Sequence, residues 1–181
     1  MPTNYTKAYE KIAIQAYCKT IPDIDDAKIT FPDPPDCLIE LKTGDTTWIE
    51  VSSIYRSTEL AKNLNSRPIG EVHTEFLGPN CQHRGKHVSM IFDAVQKKDG
   101  KANYTEFTQK YGPGILILYI DDPVASGDDL HIIIQTTSQK LKNQKTCLNN
   151  FHSVFLYVCP TATYPSDTTF IEGLFLISAT C

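Results

Sequence analysis

At 181 residues, 41% hydrophobic and 21% charged, the chain is long enough to bury a core of its own and has an ordinary globular balance. A net charge of −4 argues against holding nucleic acid by bulk positive charge, and no apolar run approaches the ~18 residues of a membrane span. Tyr5 to Tyr17 is mixed and charged, unlike a secretory leader, so a cytoplasmic protein is expected. Its cysteines (Cys18, Cys37, Cys81, Cys147, Cys159 and Cys181) are then expected to be reduced.

In chain order, Thr3 or Thr6 can cap a first helix running to about Lys19, with Ala8, Tyr9, Ile12, Ala13 and Ala16 as its apolar stripe. Pro22 ends it, and the Asp- and Pro-rich stretch from Asp23 to Pro35 reads as loop. Two alternating segments follow, Asp36 to Leu41 and Trp48 to Ser53, and they predict a hairpin. A three-residue turn at Gly44, Asp45 and Thr46 would set Leu41 opposite Ile49 and Ile39 opposite Val51. Cys37, Ile39, Leu41, Ile49 and Val51 then share an apolar face. Asp36, Leu38, Glu40, Lys42, Trp48, Glu50 and Ser52 share the other.

Arg56 to Arg84 shows little periodicity, apart from a short edge strand expected near Val72 to Leu77. His87 to Lys98 reads as a helix burying Val88, Ile91, Phe92 and Val95, and Tyr104 to Tyr111 as its continuation after Asp99-Gly100. Gly112-Pro113-Gly114 stops that helix. The unbroken apolar run Ile115 to Ile120 suits a strand covered on both faces. Asp128 to Lys142 is expected to be helical, and Val154 to Val158 and Ile171 to Ile177 to be strands. The order predicts one α/β domain over residues 1–181, a three-layer sandwich with a mixed central sheet flanked by helices.

Paired carboxylates on neighbouring strands suit a hard divalent cation. Asp36 and Glu50 form one candidate pair. Glu40 is a rival partner for Glu50, because the expected register sets those two opposite each other and leaves Asp36 roughly 13 Å along the strand. A second cluster, His73, Cys81, His83 and His87, has zinc-type ligands but lacks the usual ligand gap. Ser52-Ser53 has no glycine elbow around it, and no phosphate-binding glycine loop is present. Lys86, Lys97, Lys98, Lys101 and Lys110, with Arg84, make the middle segment basic. That pattern suits a solvated helix face, or a local nucleic-acid surface.

Pro35-Asp36, the hairpin, and Glu50-Val51-Ser52 together resemble the PD-(D/E)XK nuclease superfamily, the restriction-endonuclease-like fold. The succession Gln96-Lys97-Lys98, Gln109-Lys110-Tyr111 and the apolar strand is similar to small members of it, and the resemblance spans roughly residues 5 to 120. It implies Mg²⁺ or Mn²⁺ held by Asp36, Glu50 and the main-chain carbonyl of Val51, with Glu10 assisting, and hydrolysis of phosphodiesters in nucleic acid. The superfamily's lysine two residues after the second acid is Ser52 here. The resemblance therefore implies a relocated lysine, with Lys98 as the catalytic candidate and Lys97 and Lys42 as others. The alternative is a catalytically inactive domain of the same fold acting as a binding or regulatory protein. The open ends of a mixed sheet also allow a homodimer.

Overall fold

The computed structural model describes residues 4–22, 24, 27–32, 34–54, 84–120, 127–143, 148–158 and 173–179. The expected edge strand at 72–77 and His73, Cys81 and His83 lie outside them. So do Cys147, Cys159 and Cys181.

Helix α1 is Asn4–Cys18, and the strands β1, β2 and β3 are Lys28–Thr30, Cys37–Glu40 and Thr46–Ile54. Helices α2 (Arg84–Asp99) and α3 (Ala102–Tyr111) precede β4 (Gly114–Ile120). Helix α4 (Gly127–Asn143) lies between β4 and β5 (Phe151–Val158), and β6 (Gly173–Ala179) comes last. The six strands form one mixed sheet in sequential order. β1, β2 and β3 are antiparallel, β3, β4 and β5 are parallel, and β6 returns antiparallel to β5.

The two parallel steps move the same way across the sheet. Crossovers of the same hand then put α2, α3 and α4 on one face and leave the other for α1. The strand at the centre shows the consequence. Ile115, Ile117 and Tyr119 of β4 pack under α1 with Ala13, Ile14 and Cys18. Leu116, Leu118 and Ile120 pack beneath Ile91, Val95 and Ile133. All seven β4 residues are buried, which is why that run is apolar throughout. Each such Ile or Leu contributes about 1.5–3 kcal/mol of burial free energy.

Three expectations need correction. The stripe of α1 turns differently: Ile12 is 39% exposed, while Ala13, Ile14 and Cys18 are buried. Ala16 and Tyr9 do pack against that core, so Ile12 is the stripe residue that leaves it. The sheet instead selects the face centred between Ala13 and Cys18, with Tyr9 stacked on Tyr119. Secondly, the stretch read as loop contains β1, a three-residue edge strand too short to leave an alternation signal.

Thirdly, the hairpin turn is Lys42-Thr43-Gly44. Asp45 closes it, its carbonyl accepting from Leu41 N–H at 2.9 Å while the Leu41 carbonyl accepts from Gly44 N–H at 2.9 Å. Gly44 has φ 92°, so the glycine belongs at the last loop position, where a left-handed residue rejoins the strand. Displacing the turn by two residues displaces the register by four. Cys37 faces Ile49, and Ile39 faces Thr47. A displacement by four is even, so every side chain keeps its face and only the partners change.

Candidate active site

The corrected register brings Asp36 beside Glu50. Asp36 follows the cis Pro34–Pro35 peptide and immediately precedes β2, whose last ladder pair with β3 is Cys37 with Ile49. One step further, Asp36 and Glu50 face each other. The separation expected from the flat register disappears. Glu40 is removed as a rival, because it pairs with Thr46 and makes an exposed ion pair with Lys28 at 3.0 Å.

The Asp36 carboxylate is held by the backbone across from it, Oδ2 accepting from Val51 N–H at 2.7 Å. A strand residue directs its N–H and C=O to the same side. The Val51 carbonyl therefore leaves β3 on the Asp36 side, into the gap where β2 pairing has ended.

Glu50 is 6% exposed, and a buried carboxylate is costly unless it is paired. Two donors meet its Oε1, Lys98 Nζ at 2.5 Å and the Tyr104 hydroxyl at 2.5 Å. Lys98 comes from the last turn of α2, and only 16% of its side chain is exposed. Lys97 is exposed and makes no ion pair with a described residue, and Lys42 lies in the exposed hairpin turn. Of the lysines considered, Lys98 is thus the one brought to the carboxylates. Ser52 sits in the β3–β4 ladder opposite Leu118.

Among the described residues, Asp36 Oδ1 and Glu50 Oε2 accept no hydrogen bond. Burial, and then the Glu50 charge, push the Asp36 carboxyl up to about 7. The Val51 N–H and Lys98 oppose that rise, while Glu10 on α1 adds to it. Burial and the bond to Glu50 raise the Tyr104 phenol, so it stays a donor. The arrangement has two unspent carboxylate oxygens on adjacent strands, mutual repulsion between the acids, and a carbonyl turned toward them. That is a hard-oxygen donor set suited to a small divalent cation.

The scaffold around Lys98 is polar and closed. Asp99, the next residue, is 6% exposed. Its Oδ2 accepts from Asn149 N–H at 2.9 Å and its Oδ1 from Asn150 N–H at 2.8 Å. Asn150 Nδ2 donates to the Asp99 carbonyl at 2.6 Å, and Thr108 Oγ1 donates to Asn150 Oδ1 at 3.0 Å. This clasp ties the end of α2 and the body of α3 to the start of β5. Tyr104 is held by Trp48, stacked at 5.7 Å, and by Phe151 edge-on at 5.6 Å. Trp48 Nε1 in turn donates to the Gly112 carbonyl at 2.8 Å.

Sequence reasoning missed Tyr104 and the Asp99–Asn150 clasp. Tyr104 reads in sequence as one apolar member of a helix, and Asn150 lies 51 residues from Asp99. No local spacing carries either contact. His87 is buried on α2, and no group of three His, Cys, Asp or Glu side chains able to hold a metal occurs among the described residues. Cys18 and Cys37 are free and buried. No helix among the described residues is long and apolar enough to cross a membrane. Comparison with protein-family models, with curated proteins and with solved structures found no match to this chain.

Proposed function

We propose that this chain is a divalent-cation-dependent phosphodiesterase of restriction-endonuclease-like fold, acting on nucleic acid. The observation that carries the reading is the register, which faces Asp36 with Glu50 while Lys98 reaches Glu50 from α2. The succession α1, three antiparallel strands, α2, α3 and the parallel β4 supports it.

Asp36 Oδ1, Glu50 Oε2 and the Val51 carbonyl are the groups that would hold Mg²⁺ or Mn²⁺. Such an ion, when bound, stabilises charge on the phosphate and makes an attacking water more acidic. Lys98 and Tyr104, both donating to Oε1, fix the plane of the Glu50 carboxylate and leave Oε2 uncommitted. Val51 N–H does the same for Asp36. In the overall reaction, a water oxygen bonds to phosphorus as the bond to one ester oxygen breaks. The departing oxygen takes the proton, giving a phosphomonoester and a hydroxyl.

Calorimetric titration of Mn²⁺ into the wild type, Asp36→Ala and Glu50→Gln, paired with cleavage of labelled DNA and RNA, tests the reading. Binding and cleavage lost in both folded variants supports it. Equal Mn²⁺ affinity in all three proteins overturns it. One observation favours a catalytically silent binding domain instead: Glu50 is already neutralised by Lys98 without any ion. A wild type that binds no Mn²⁺ even with a strand present would select that alternative.

A further inference from the structure

Lys97, Lys98 and Lys101 surround the short break between α2 and α3. The Nζ atoms of Lys98 and Lys101 lie 6.0 and 5.7 Å from the centroid of the same Tyr104 ring. Lys98 spends its charge on Glu50, whereas the Lys101 ammonium makes no hydrogen bond or ion pair with a described residue. Partial burial, then Lys98 and also Lys97, make Lys101 less basic, while Glu50 and Asp36 act the other way. Its ammonium therefore stands within the field of both carboxylates and of its neighbouring cations.

Lys101 is also the N-cap residue of α3, makes no side-chain cap, and no acid occupies the first turn of that helix. Helix starts ordinarily favour a capping oxygen or a carboxylate. Here an exposed ammonium with no ionic partner among the described residues stands at that position, four residues beyond the equally exposed Lys97, and an anion is the complement of both.

We propose that Lys101, with Lys97 beside it, forms a phosphate subsite next to the Asp36–Glu50 centre. This inference rests on the phosphodiesterase reading and narrows its substrate to a strand, which offers one phosphate to the carboxylate centre and a neighbouring phosphate to Lys101. A phosphomonoester or a single nucleotide cannot span both positions. DNA and RNA strands share this chemistry.

The test is fluorescence anisotropy with fluorescein-labelled single-stranded DNA and RNA in Ca²⁺, across a salt series. The proteins are the wild type, Lys101→Ala, Lys101→Arg, Lys97→Ala and, as a charge-matched control on α4, Lys142→Ala. Lys101→Ala should weaken strand binding about three- to tenfold and flatten the slope of log K against log salt by ~0.7, the value for one single-strand phosphate contact. Lys101→Arg should retain most of the affinity, and Lys142→Ala should match the wild type. A mononucleotide competitor should displace the strand poorly. Calorimetric Mn²⁺ affinity should not fall in Lys101→Ala, because that substitution removes a cation from beside the carboxylates.

An unchanged affinity and slope in Lys101→Ala, an equal loss in Lys142→Ala, or no strand binding by the wild type overturns the subsite. Strand binding lost with Lys101 in a protein that takes no Mn²⁺ leaves the subsite standing and removes the phosphodiesterase reading alone.

Discussion

Replacing Lys98 with methionine keeps the volume of the side chain and removes its charge. Glu50 then stays 8% exposed in its side chain with one donor left, Tyr104. Breaking a buried ion pair from one side costs about 3–5 kcal/mol. The surviving charged hydrogen bond, of a kind that contributes about 1.5–3 kcal/mol, places the expected loss near the lower end, at about 3 kcal/mol. For a chain of this length that lowers the melting temperature by about 6–12 °C. Urea unfolding at neutral pH, without divalent ions, measures it. The Lys98→Met/Glu50→Gln double variant should recover most of the loss, since an amide carries no charge and still accepts from Tyr104. A loss below about 1 kcal/mol, the range of exposed pairs, would refute the argument. So would a double variant no more stable than Lys98→Met alone.

Asp36 gives a pH signature. Its carboxyl sits at about 7 when folded, against about 3.9 in an unfolded chain. Between those values the folded state binds more protons than the unfolded one, so the contribution of Asp36 makes stability fall as pH rises through that window. Urea midpoints across the window should fall less steeply for Asp36→Asn than for the wild type, and parallel curves would count against it. Mn²⁺ affinity should rise with pH up to about 7 and then level, as calorimetry at several pH values would show. Gly114→Ala places a methyl 2.3 Å from the Trp48 ring, so thermal unfolding should report a loss of about 1–3 kcal/mol or more from overpacking. Asp99→Ala leaves the Asn149 and Asn150 N–H groups without their acceptor, a cost of about 1–3 kcal/mol for each one left buried. It should also weaken Mn²⁺ binding through the loosened end of α2, and Mn²⁺ titration at wild-type affinity would separate the clasp from the site.

Much of the layering was legible because two periods announce it. β4 is apolar at every position and lies at the centre, and α2 repeats Val88, Ile91, Phe92 and Val95 along one side. The faces of the hairpin were legible for the same reason, since alternation decides them whatever the partner strand does. Its register was not. That depends on which loop position takes the left-handed glycine, and the sequence Lys42-Thr43-Gly44-Asp45-Thr46 admits the glycine at the first or the last place of a three-residue loop. The end with Gly44 last lets Thr43 Oγ1 donate to the Asp45 carboxylate at 2.7 Å, a contact that helps close the turn. Asp36 and Glu50 could be chosen from residue type and strand position. Tyr104 could not, because its role arises from a helix settling on Trp48 and Phe151, which pattern within the helix does not encode.

The route by which Lys98 reaches Glu50 has a consequence for how such a centre can change. An ammonium delivered from a helix and one delivered from strand position 52 would serve to neutralise the same buried carboxylate. A lysine at 52 added to the present chain would set a second ammonium beside Lys98 at one buried carboxylate, and loss of Lys98 first would strand the acid. Neither single step is comfortable, so the two placements behave as alternatives exchanged in pairs. Ser52→Lys combined with Lys98→Met should then be more stable than either substitution alone, as urea midpoints would report. A ranking in which the pair is the weakest of the three would mean that the helix-borne charge is not interchangeable with a strand-borne one.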